Sequence, residues 1–527
     1  MKTYFIIFFI LLFSITLNAQ NTFNKVFYPS STQKLITSVT VFDGKTIFVG
    51  IDVDSFQFVG NMVLFELDMN GDVIHQKTIK NDSIDLMCWN KSLLGIDDTL
   101  YLVCYENLGS TYNRNALYTL NFTDTIKTVS LNLPSPDFSL RPDGMTRLNN
   151  EFFVIGLYQN LTVPSMFADV YFSKVSKSYE LIWTKKIGSN WDDIVNNGAI
   201  KSSTNNTILL GYTQDNRNLA TQNYIFKSII EERDTAGNLL RQYVSPNGRL
   251  QTLLSDIVPN ADGSLVYACQ QAWEVYHPSV SSFEMNGLVV KLDSNFNEVW
   301  NLPVRGDRAI EGMALPLRNI VKATSNGGGY VASGSFAEID YINNTGKGNG
   351  LILRIGENGD SLWARKIIYP GQTNNFDNMF YDLKETPDKG FIMCGSLRQL
   401  DTITYPLPNN FTYGWVVKTD SMGCVVPGCH LYDGLAENKM PSHVMKVFPN
   451  PADDMISIYY KAATMPVNAE LHVYNQEGKL LQKLAITSND ATYMFPLINY
   501  TSGIYFVSLM EQGMKVQTEK IIVNRSW

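Results

Sequence analysis

A degenerate repeat between residues 24 and 423 constrains the fold of this chain more than any other feature. In each copy a polar turn leads into an apolar run that ends in a small residue, as in residues 43–50. Seven small residues occupy this place: Gly50, Cys104, Gly156, Gly211, Cys269, Gly334 and Gly395. They lie 52 to 65 residues apart. A repeat of this length, holding about four short strands, is typical of a blade of a β-propeller.

A second motif alternates with the first. It is a short turn followed by a strand that often carries Trp, and it is clearest before Trp183, Trp300 and Trp363. The turns commonly begin with Asp, whose carboxylate can bond the backbone of its own turn, and they often contain Gly, which accepts a positive φ. We therefore expect these acidic turns to be structural. The Trp side chains are expected on outer strands, packed between neighbouring blades.

Together the two motifs predict an all-β chain in which residues 20–423 form a seven-bladed β-propeller. Six or eight blades, or a tandem of β-sandwiches, are the alternatives. The small residues are expected where inner strands converge on the axis. Residues 25–29 repeat the pattern of residues 366–370, and the final repeat lacks such a strand. The first strand is therefore predicted to complete the final blade, which would remove an exposed sheet edge.

Residues 1–19 have the organisation of a signal peptide. Lys2 supplies a positive start, residues 4–17 are an apolar run too short to span a membrane, and Ala19 is the expected cleavage residue. An uncleaved N-terminal anchor is the alternative. With 45% hydrophobic and 17% charged residues the composition is that of a globular chain, and a net charge of −8 argues against a nucleic-acid partner.

Residues 447–527 are predicted to form a second, smaller domain. Most of its segments alternate apolar and polar residues, which predicts an immunoglobulin-like β-sandwich. Its short motifs contain Pro449, Asn450, Pro451, Gly478, Gly503 and Tyr505, and a Lys-Ile-Ile-Val strand at residues 520–523 follows them.

In order, spacing and position these motifs resemble the type IX secretion sorting domain, also called the Por secretion tail. Residues 496–500 depart from the family's usual acidic-Leu pattern, which puts the strand register there in question. The resemblance implies export through the periplasm of a Gram-negative bacterium, with the type IX secretion translocon as a partner. It further implies removal of the tail, then release or attachment to surface lipopolysaccharide. An ordinary immunoglobulin-like module is the alternative.

Residues 424–446 are predicted to be a linker. Cys424 and Cys429 flank a Pro-Gly pair, whose tight turn would bring them within bridging range, so a disulfide is predicted there. A short cysteine loop of this kind often precedes sorting tails of the family named above. Cys104, Cys269 and Cys394 occupy equivalent places in different repeats and are expected to be small buried residues. Cys88 could reach Cys104 on a neighbouring strand.

The sequence contains no recognisable catalytic signature. Its five histidines lack metal-ligand spacing, no nucleophile elbow or phosphate loop is complete, and no cofactor motif is present. The acidic pairs at residues 97–98 and 192–193 are expected to be solvated turn residues. A propeller can nevertheless gather catalytic residues from several blades.

Loops of the later repeats are candidates for ligand binding. Their aromatic residues are Trp273, Tyr276, Tyr341, Tyr405, Phe411 and Tyr413. Such rings can stack on sugars or grip a peptide, although they can equally cover a blade edge. We therefore favour a secreted or cell-surface protein whose propeller binds a glycan or protein ligand. A hydrolytic, carbohydrate-active enzyme and a structural envelope protein are the alternatives, and clustered carboxylates, His or Arg in the central funnel would favour the enzyme.

Overall fold

The computed structural model describes the chain from residue 20 to residue 525, apart from short segments between strands. These segments are residues 29–32, 55–58, 80–84, 89, 98, 108–112, 121, 123–126, 131–137, 161–167, 189–191, 196–198, 204, 216–225, 247–251, 278–279, 305–312, 315, 341–344, 370–377, 399–411, 427–428, 430–442, 463–468, 477–478 and 512–513. The chain folds as two compact units, Met1–Pro427 and Gly428–Trp527. Within the described ranges we find no helix with the length and apolarity needed to cross a membrane.

The first unit is built of β-strands, which confirms the all-β fold class. Its earlier strands are β1 (Phe23–Phe27), β2 (Gln33–Phe42), β3 (Lys45–Asp54), β4 (Val59–Leu67), β5 (Val73–Ile79), β6 (Asp85–Met87), β7 (Leu93–Ile96), β8 (Thr99–Asn107), β9 (Asn113–Leu120), β10 (Lys127–Ser130), β11 (Phe138–Leu148), β12 (Glu151–Asn160), β13 (Ala168–Val175) and β14 (Leu181–Ile187). Its later strands are β15 (Asp192–Ile194), β16 (Ile200–Ser202), β17 (Ile208–Asp215), β18 (Phe226–Arg233), β19 (Leu239–Val244), β20 (Thr252–Pro259), β21 (Leu265–His277), β22 (Val280–Leu292), β23 (Glu298–Val304), β24 (Met313–Ala314), β25 (Leu317–Lys322), β26 (Tyr330–Asp340), β27 (Thr345–Ile355), β28 (Ser361–Ile367), β29 (Met379–Glu385), β30 (Phe391–Arg398) and β31 (Thr412–Thr419).

These strands form successive antiparallel groups. We name them sheet 1 (β2–β5), sheet 2 (β6–β10), sheet 3 (β11–β14), sheet 4 (β15–β19), sheet 5 (β20–β23), sheet 6 (β24–β28) and sheet 7 (β29–β31 with β1). Sheets 7 and 1 are joined through the single parallel pair of Gln33 and Thr412. Middle strands such as β30 and β31 are buried on both faces, whereas most residues of the outer strand β28 are exposed or half-buried. The apolar runs of the first motif therefore lie between neighbouring sheets, and the alternating strands of the second motif form the outer edge.

The succession of sheets returns to its start. Between sheets 5 and 6, Val266 and Val289 lie in one hydrophobic cluster with Leu351 and Leu353. Similar clusters lie between the other consecutive sheets, and one joins sheet 7 to sheet 1. Within the described residues, the innermost strands β2, β7, β11, β16, β20, β25 and β29 contact one another in that order, and β29 contacts β2. The sheets therefore surround a common centre.

The acidic turns of the second motif are structural, as expected. In the turn after β22, Oδ1 of Asp293 accepts hydrogen bonds from the backbone amides of Asn295 and Asn297, each at 2.8 Å. The hydrogen bonds from Asn297 are the main cause that lowers the pKa of Asp293. Asp68 and Asp234 bind their own turns in the same way. These carboxylates therefore accept hydrogen bonds from the backbone of their own turns.

Aromatic residues of the outer strands pack against the turns of the next sheet. A Cβ atom on Gly359 would lie 2.6 Å from Trp300, and one on Gly423 would lie 2.4 Å from Trp363. Both glycines also have positive φ, at 87° and 76°. The backbone conformation and the aromatic contact therefore both require glycine at these turns. The packing of the Trp residues between sheets, predicted from the sequence, is confirmed.

The first strand closes the circle. β1 pairs antiparallel with β31, with Val26 opposite Trp415, and so occupies the place of an outer strand in sheet 7. Phe23 packs against a turn of sheet 1, as Trp300 and Trp363 pack against turns of the sheets next to them. A Cβ atom on Gly71, in that turn, would lie 2.8 Å from the ring of Phe23. Nε1 of Trp415 donates to Oδ1 of Asn24 at 2.7 Å. The predicted pairing of the first strand with the final repeat is confirmed.

The second unit contains two facing sheets. Its strands are β32 (His443–Phe448), β33 (Met455–Ala462), β34 (Ala469–Asn475), β35 (Leu480–Ala485), β36 (Asp490–Pro496), β37 (Gly503–Glu511) and β38 (Met514–Val523). One sheet has the order β32-β33-β36 and the other β35-β34-β37-β38. Ile456, Tyr460, Val473 and Leu509 belong to one buried cluster between them. The unit is thus a small β-sandwich with its own core.

Candidate functional site

The inner strands of five sheets contain a β-bulge opposite the small residue of the repeat. In sheet 7 the register shifts between Phe380 and Asp382, opposite Gly395. A Cβ atom on Gly395 would lie 1.9 Å from the carbonyl oxygen of Met379, and the corresponding contacts in sheets 1, 3 and 6 are 2.5, 2.1 and 2.0 Å. The expected reason for the small residue was therefore wrong in these sheets. A carbonyl beside the bulge requires it, rather than crowding of side chains at the axis.

Charged side chains near these bulges meet across the centre of the first unit. Nζ of Lys91, in sheet 2, lies 2.7 Å from Oδ2 of Asp256, in sheet 5. Nζ of Lys201, in sheet 4, lies 3.8 Å from the other carboxylate oxygen. The backbone amide of Ile320, in sheet 6, donates to Oδ2 of Asp256 at 3.1 Å. Because sheets 2 and 5 are not neighbours, this ion pair spans the space that the inner strands enclose.

Burial acts on the pKa of Lys91 and of Asp256 in opposite directions. It lowers the pKa of Lys91 to about 8, although the nearby carboxylate of Asp256 opposes the shift. Burial would raise the pKa of Asp256, but the charges of Lys91 and Lys201 outweigh it, and the pKa is lowered. Only 7% of the Lys91 side chain and 2% of the Asp256 side chain are exposed. A buried charge of either sign is costly alone, so each stabilises the ionised form of the other.

Asp382 connects sheet 7 to sheet 1. Its Oδ2 accepts hydrogen bonds from the backbone amide of Val39 at 3.0 Å and from Oγ of Ser38 at 3.2 Å. Its Oδ1 accepts from the amide of Leu383 at 2.8 Å and from Nζ of Lys384 at 2.7 Å. Both carboxylate oxygens are therefore engaged in holding strands together, which leaves this group poorly suited to act as a general base.

Asp143, the bulged residue of sheet 3, has a different environment. It is 3% exposed, and burial raises its pKa to about 7. The guanidinium of Arg141 lies 3.4 Å from Oδ1 and opposes that shift. Among the described residues, Oδ2 of Asp143 is buried without a hydrogen-bond partner. Across all the residues that the structure describes, no group of three His, Cys, Asp or Glu side chains is placed to hold a metal ion.

A pocket of about 280 Å³ opens where sheet 7 meets sheet 1. We call it the mouth pocket; its lining residues are Gln33, Leu35, Met379, Tyr381, Ser396, Arg398 and Thr412. The hydroxyls of Tyr381 and Ser396 are 2.9 Å apart. Arg398 ends β30, while Gln33 and Thr412 begin β2 and β31, so the pocket lies at one end of these strands. A mixture of guanidinium, amide, hydroxyl and apolar groups suits a small polar ligand.

The aromatic residues proposed for ligand loops do not gather in one described site. Trp273 and Tyr276 lie in β21, whose long hairpin with β22 stands where a loop was expected. Tyr413 lies in β31, is 1% exposed and packs in the cluster between sheets 6 and 7, so its ring is not available for stacking on a ligand. Tyr405 and the neighbouring Phe411 fall outside the described residues, as does Tyr341.

The acidic pairs also differ from one another. Asp97 lies in an exposed turn, as expected, and its Oδ2 accepts a hydrogen bond of 3.1 Å from Arg147. Asp193 lies in β15 and is fully buried, so the expectation of a solvated turn residue was wrong for it. Its Oδ2 would be 2.3 Å from a Cβ atom on Gly188, which places this carboxylate tightly against the end of β14.

In the second unit the Pro449-Asn450-Pro451 motif lies along the final strand, β38. Nδ2 of Asn450 donates to the carbonyl oxygen of Lys520 at 2.6 Å, and its Oδ1 accepts from the amide of Ile522 at 2.9 Å. The peptide bonds before both prolines are cis. The amide side chain thus replaces a short stretch of strand pairing between two motifs that are far apart in sequence.

Two further tail motif residues, Gly503 and Tyr505, lie at the start of β37. Gly503 begins β37, and the hydroxyl of Tyr505 donates to the carbonyl oxygen of Thr501 at 2.9 Å. The ring of Tyr505 packs edge-on against Tyr500, with centroids 5.1 Å apart. Gly478 lies outside the described residues.

Cys424 and Cys429 are joined in a disulfide, as predicted. Four other described cysteines are buried and are not disulfide-bonded: Cys88, Cys104, Cys269 and Cys394. Burial raises the pKa of Cys88 to about 12, so its thiol stays protonated. The suggested contact between Cys88 and Cys104 is therefore not a disulfide. The cleavage residue Ala19 falls outside the described residues.

Residues 446–524 match the family model of the secretion system C-terminal sorting domain, which confirms the recognition made from the sequence. The chain thus carries the sorting tail of type IX secretion, which directs a protein to the cell surface or into the medium. No curated protein matches the chain.

Among solved structures, the chain is similar to a protein of unknown function from Dyadobacter fermentans, at 9% identity and a TM-score of 0.41, over 75% of this chain and 97% of that one. It is also similar to Drosophila Semaphorin 2a, at 8% identity and a TM-score of 0.47, over 97% of this chain and 98% of that one. The β-propeller domain of the Trilobed protease from Pyrococcus furiosus shares 9% identity at a TM-score of 0.37, over 75% of this chain and 94% of that one.

The central charged cluster was missed in the sequence, although a signal for it exists. An Asp stands thirteen residues before the small residue in three repeats, at Asp143, Asp256 and Asp382. In each case it interrupts the inner strand of the sheet. A recurring carboxylate within a buried strand indicates a hydrogen-bond or charge partner nearby, because an unpaired one would be costly. The sequence does not identify that partner.

Proposed function

We propose that the chain is a type IX secretion cargo whose residues 20–423 form a seven-bladed β-propeller, and that this propeller binds a ligand or partner protein outside the cell. The circular succession of sheets, with the same aromatic contact between outer strands and turns, supports the propeller. The match of residues 446–524 to the sorting family supports the route.

Ligand binding rests mainly on the mouth pocket. Its polar groups lie at the end of the strands where residues 399–411 separate β30 from β31 in sequence, whereas the opposite ends have short turns such as residues 386–390 and 420–424. Long connections at one end of a rigid scaffold are where binding residues usually stand. The central carboxylates Asp256 and Asp382 are occupied by lysines and backbone amides, which favours a binding protein over a hydrolase.

One observation supports an enzyme as the second candidate. Asp143 has a pKa of about 7, which suits a general acid or base near neutral pH, and one of its oxygens is buried without a hydrogen-bond partner among the described residues. A carboxylate of this kind can support proton transfer, whereas glycoside hydrolysis would also require a second carboxylate at a defined distance from it. A structural envelope protein is the third candidate.

The proposed route begins with cleavage after Ala19 and passage through the periplasm to the type IX translocon. Removal of the tail would then precede release or attachment to surface lipopolysaccharide. The disulfide of Cys424 and Cys429 suits an exported chain, because such bonds persist in oxidising compartments.

The test is a glycan and peptide array probed with the mature chain, residues 20–527. Any captured ligand is then titrated against Arg398→Ala and against the control Arg365→Ala, on the outer strand β28. We expect Arg398→Ala to weaken binding at least tenfold, or about 1.4 kcal/mol, and the control to bind normally. Equal binding by both variants would exclude the mouth pocket as the site, and an empty array would contradict the binding function.

A further inference from the structure

A second cleft, of about 460 Å³, separates the outer parts of sheets 3 and 4. We call it the flank cleft. One wall is the end of β14, with Lys185 and Lys186, and the other is formed by β17, β18 and β19. The polar residues of that second wall are Tyr212, Gln214, Glu231, Arg233 and Gln242. The same region between sheets 5 and 6 is filled by apolar side chains.

Glu231 occupies a position at which other sheets have a buried apolar residue. It stands three residues before the turn that starts at Asp234. The residues at this place in sheets 1, 5, 6 and 7 are Phe65, Val290, Leu353 and Val417, and each belongs to a buried cluster. A buried carboxylate costs several kcal/mol unless it is paired and hydrogen-bonded, on the order of the whole contribution of the side chain it replaces. Sheet 4 therefore departs from the repeat at a position where the departure is costly.

A fixed network surrounds this carboxylate. Oε1 of Glu231 accepts hydrogen bonds from the hydroxyl of Tyr212 and from Nε2 of Gln242, both at 3.0 Å, and Oε2 accepts from Nε of Arg233 at 2.6 Å. Burial raises the pKa of Tyr212, and the carboxylates of Glu231 and Asp193 raise it further. The hydroxyl therefore stays protonated and keeps its role as donor. The floor of the cleft is polar and preorganised.

The rim of the cleft carries positive charge. Nζ of Lys186 lies 2.5 Å from Oδ2 of Asp169, so that charge is largely balanced. Nζ of Lys185 donates to the carbonyl oxygen of Ala236 at 2.6 Å. Within the described part of the chain no ion pair involves Lys185, although its charge contributes to the lowered pKa of Asp234. An ammonium group has three donors, so Lys185 can still bind an anionic group of a ligand.

We propose that the flank cleft binds an acidic saccharide, in which Lys185 meets the carboxylate and the amides of Gln214 and Gln242 meet ring hydroxyls. The apolar side chains of Leu239 and Val244, exposed by 48% and 42%, would lie against the C–H face of the sugar ring. The cavity volume falls within the range of about 300–1,000 Å³ usual for ligand sites. This site is separate from the mouth pocket, and its ligand is independent of the one proposed there.

The test is calorimetric titration of the mature chain, residues 20–527, with trigalacturonate as the acidic probe and galactotriose as its neutral counterpart. Three variants are compared: Lys185→Met, Gln242→Ala, and the control Asn301→Ala. Asn301 of β23 lies eight residues after Asp293, which starts the preceding turn. Gln242 of β19 lies at the same distance from Asp234. All three substitutions are on outer strands, and circular dichroism verifies that the variants fold.

We expect trigalacturonate to bind at least tenfold more tightly than galactotriose. Lys185→Met should abolish that preference, Gln242→Ala should weaken both probes, and Asn301→Ala should change neither. Absence of binding by trigalacturonate, or binding that Lys185→Met and Gln242→Ala leave unchanged, would overturn the proposal. Equal affinity for both probes in the native chain would overturn the assignment to an acidic sugar. Binding at the mouth pocket is followed separately through Arg398→Ala, so one site can fail without the other.

Discussion

Two carboxylates at the same distance from the repeat's small residue show how strongly local partners decide the behaviour of a residue. Asp143 and Asp256 each stand thirteen residues before it, and both are buried. Asp256 has Lys91 beside it and keeps a lowered pKa, whereas burial raises the pKa of Asp143 to about 7. Asp143 is therefore a source of pH dependence in the folded chain, and Asp256 is a source of stability at neutral pH.

We expect Asp143→Asn to change how stability depends on pH. The unfolded chain releases the Asp143 proton near its ordinary pKa of 3.8, and the folded chain releases it near pH 7. The folded chain therefore holds an extra proton between these values, and its stability falls as the pH rises through that window. Urea unfolding at pH 4.5 and 7.5 should show the variant gaining stability relative to the native chain as the pH rises. A native-like pH slope in the variant would contradict the assignment.

Asp256→Asn provides the matched comparison, because the pKa of Asp256 is shifted in the opposite direction to that of Asp143. Its contribution is present above its ordinary pKa and is lost as the pH falls below it. At pH 7.5 the variant should lose about 3–5 kcal/mol, the usual cost of leaving a buried partner charge unpaired.

At the scale of elements, the sequence predicted the strands and turns better than the bulges. Periodicity identifies a strand because buried and exposed residues alternate along it, and the Asp-containing turns follow from local hydrogen bonding. A bulge, in contrast, is one extra residue in the pairing of two strands, and it leaves the pattern of either strand almost unchanged. That is why Gly395 was correctly recognised as special while the cause of its small size, the carbonyl of Met379, was not.

Like the Trp residues of the other outer strands, Phe23 of β1 is expected to stabilise the contact between neighbouring sheets. Phe23 is 7% exposed and packs against the turn that contains Gly71. Phe23→Ala is expected to destabilise the first unit by about 3–5 kcal/mol, the usual cost of removing a buried aromatic side chain. Met69→Ala is the control, because Met69 is 64% exposed in the same turn. Chemical unfolding that finds both variants equally stable would show that Phe23 does not close the circle.

At the scale of the whole molecule, the sequence predicted the circular succession and the sorting tail but not the two polar sites. The repeats and tail motifs are local patterns, so one sequence is enough to find them. The ion pair of Lys91 and Asp256 joins sheets that are not neighbours, and the flank cleft depends on which residue of sheet 4 faces sheet 3. Both follow only from the three-dimensional arrangement of the sheets.

Deletion of residues 447–527 should prevent the chain from appearing outside the cell, because the sorting domain would be missing. Asn450→Ala removes two hydrogen bonds to β38 and should reduce the amount exported, whereas Asn499→Ala, at an exposed turn of the same unit, should not. Immunoblots of medium, cell surface and periplasm measure these amounts. Normal export of the truncated chain would refute the role of the tail.

The hydrogen bonds of Asn450 to Lys520 and Ile522 mean that the sorting domain is completed only when two distant segments of the chain are both present. The ribosome produces the proline-flanked half first, and β38, which gives it a surface to lie on, emerges some seventy residues later. A polypeptide released from the ribosome before β38 is made would contain only part of the sorting domain. We therefore expect export to require a chain whose synthesis has continued through β38.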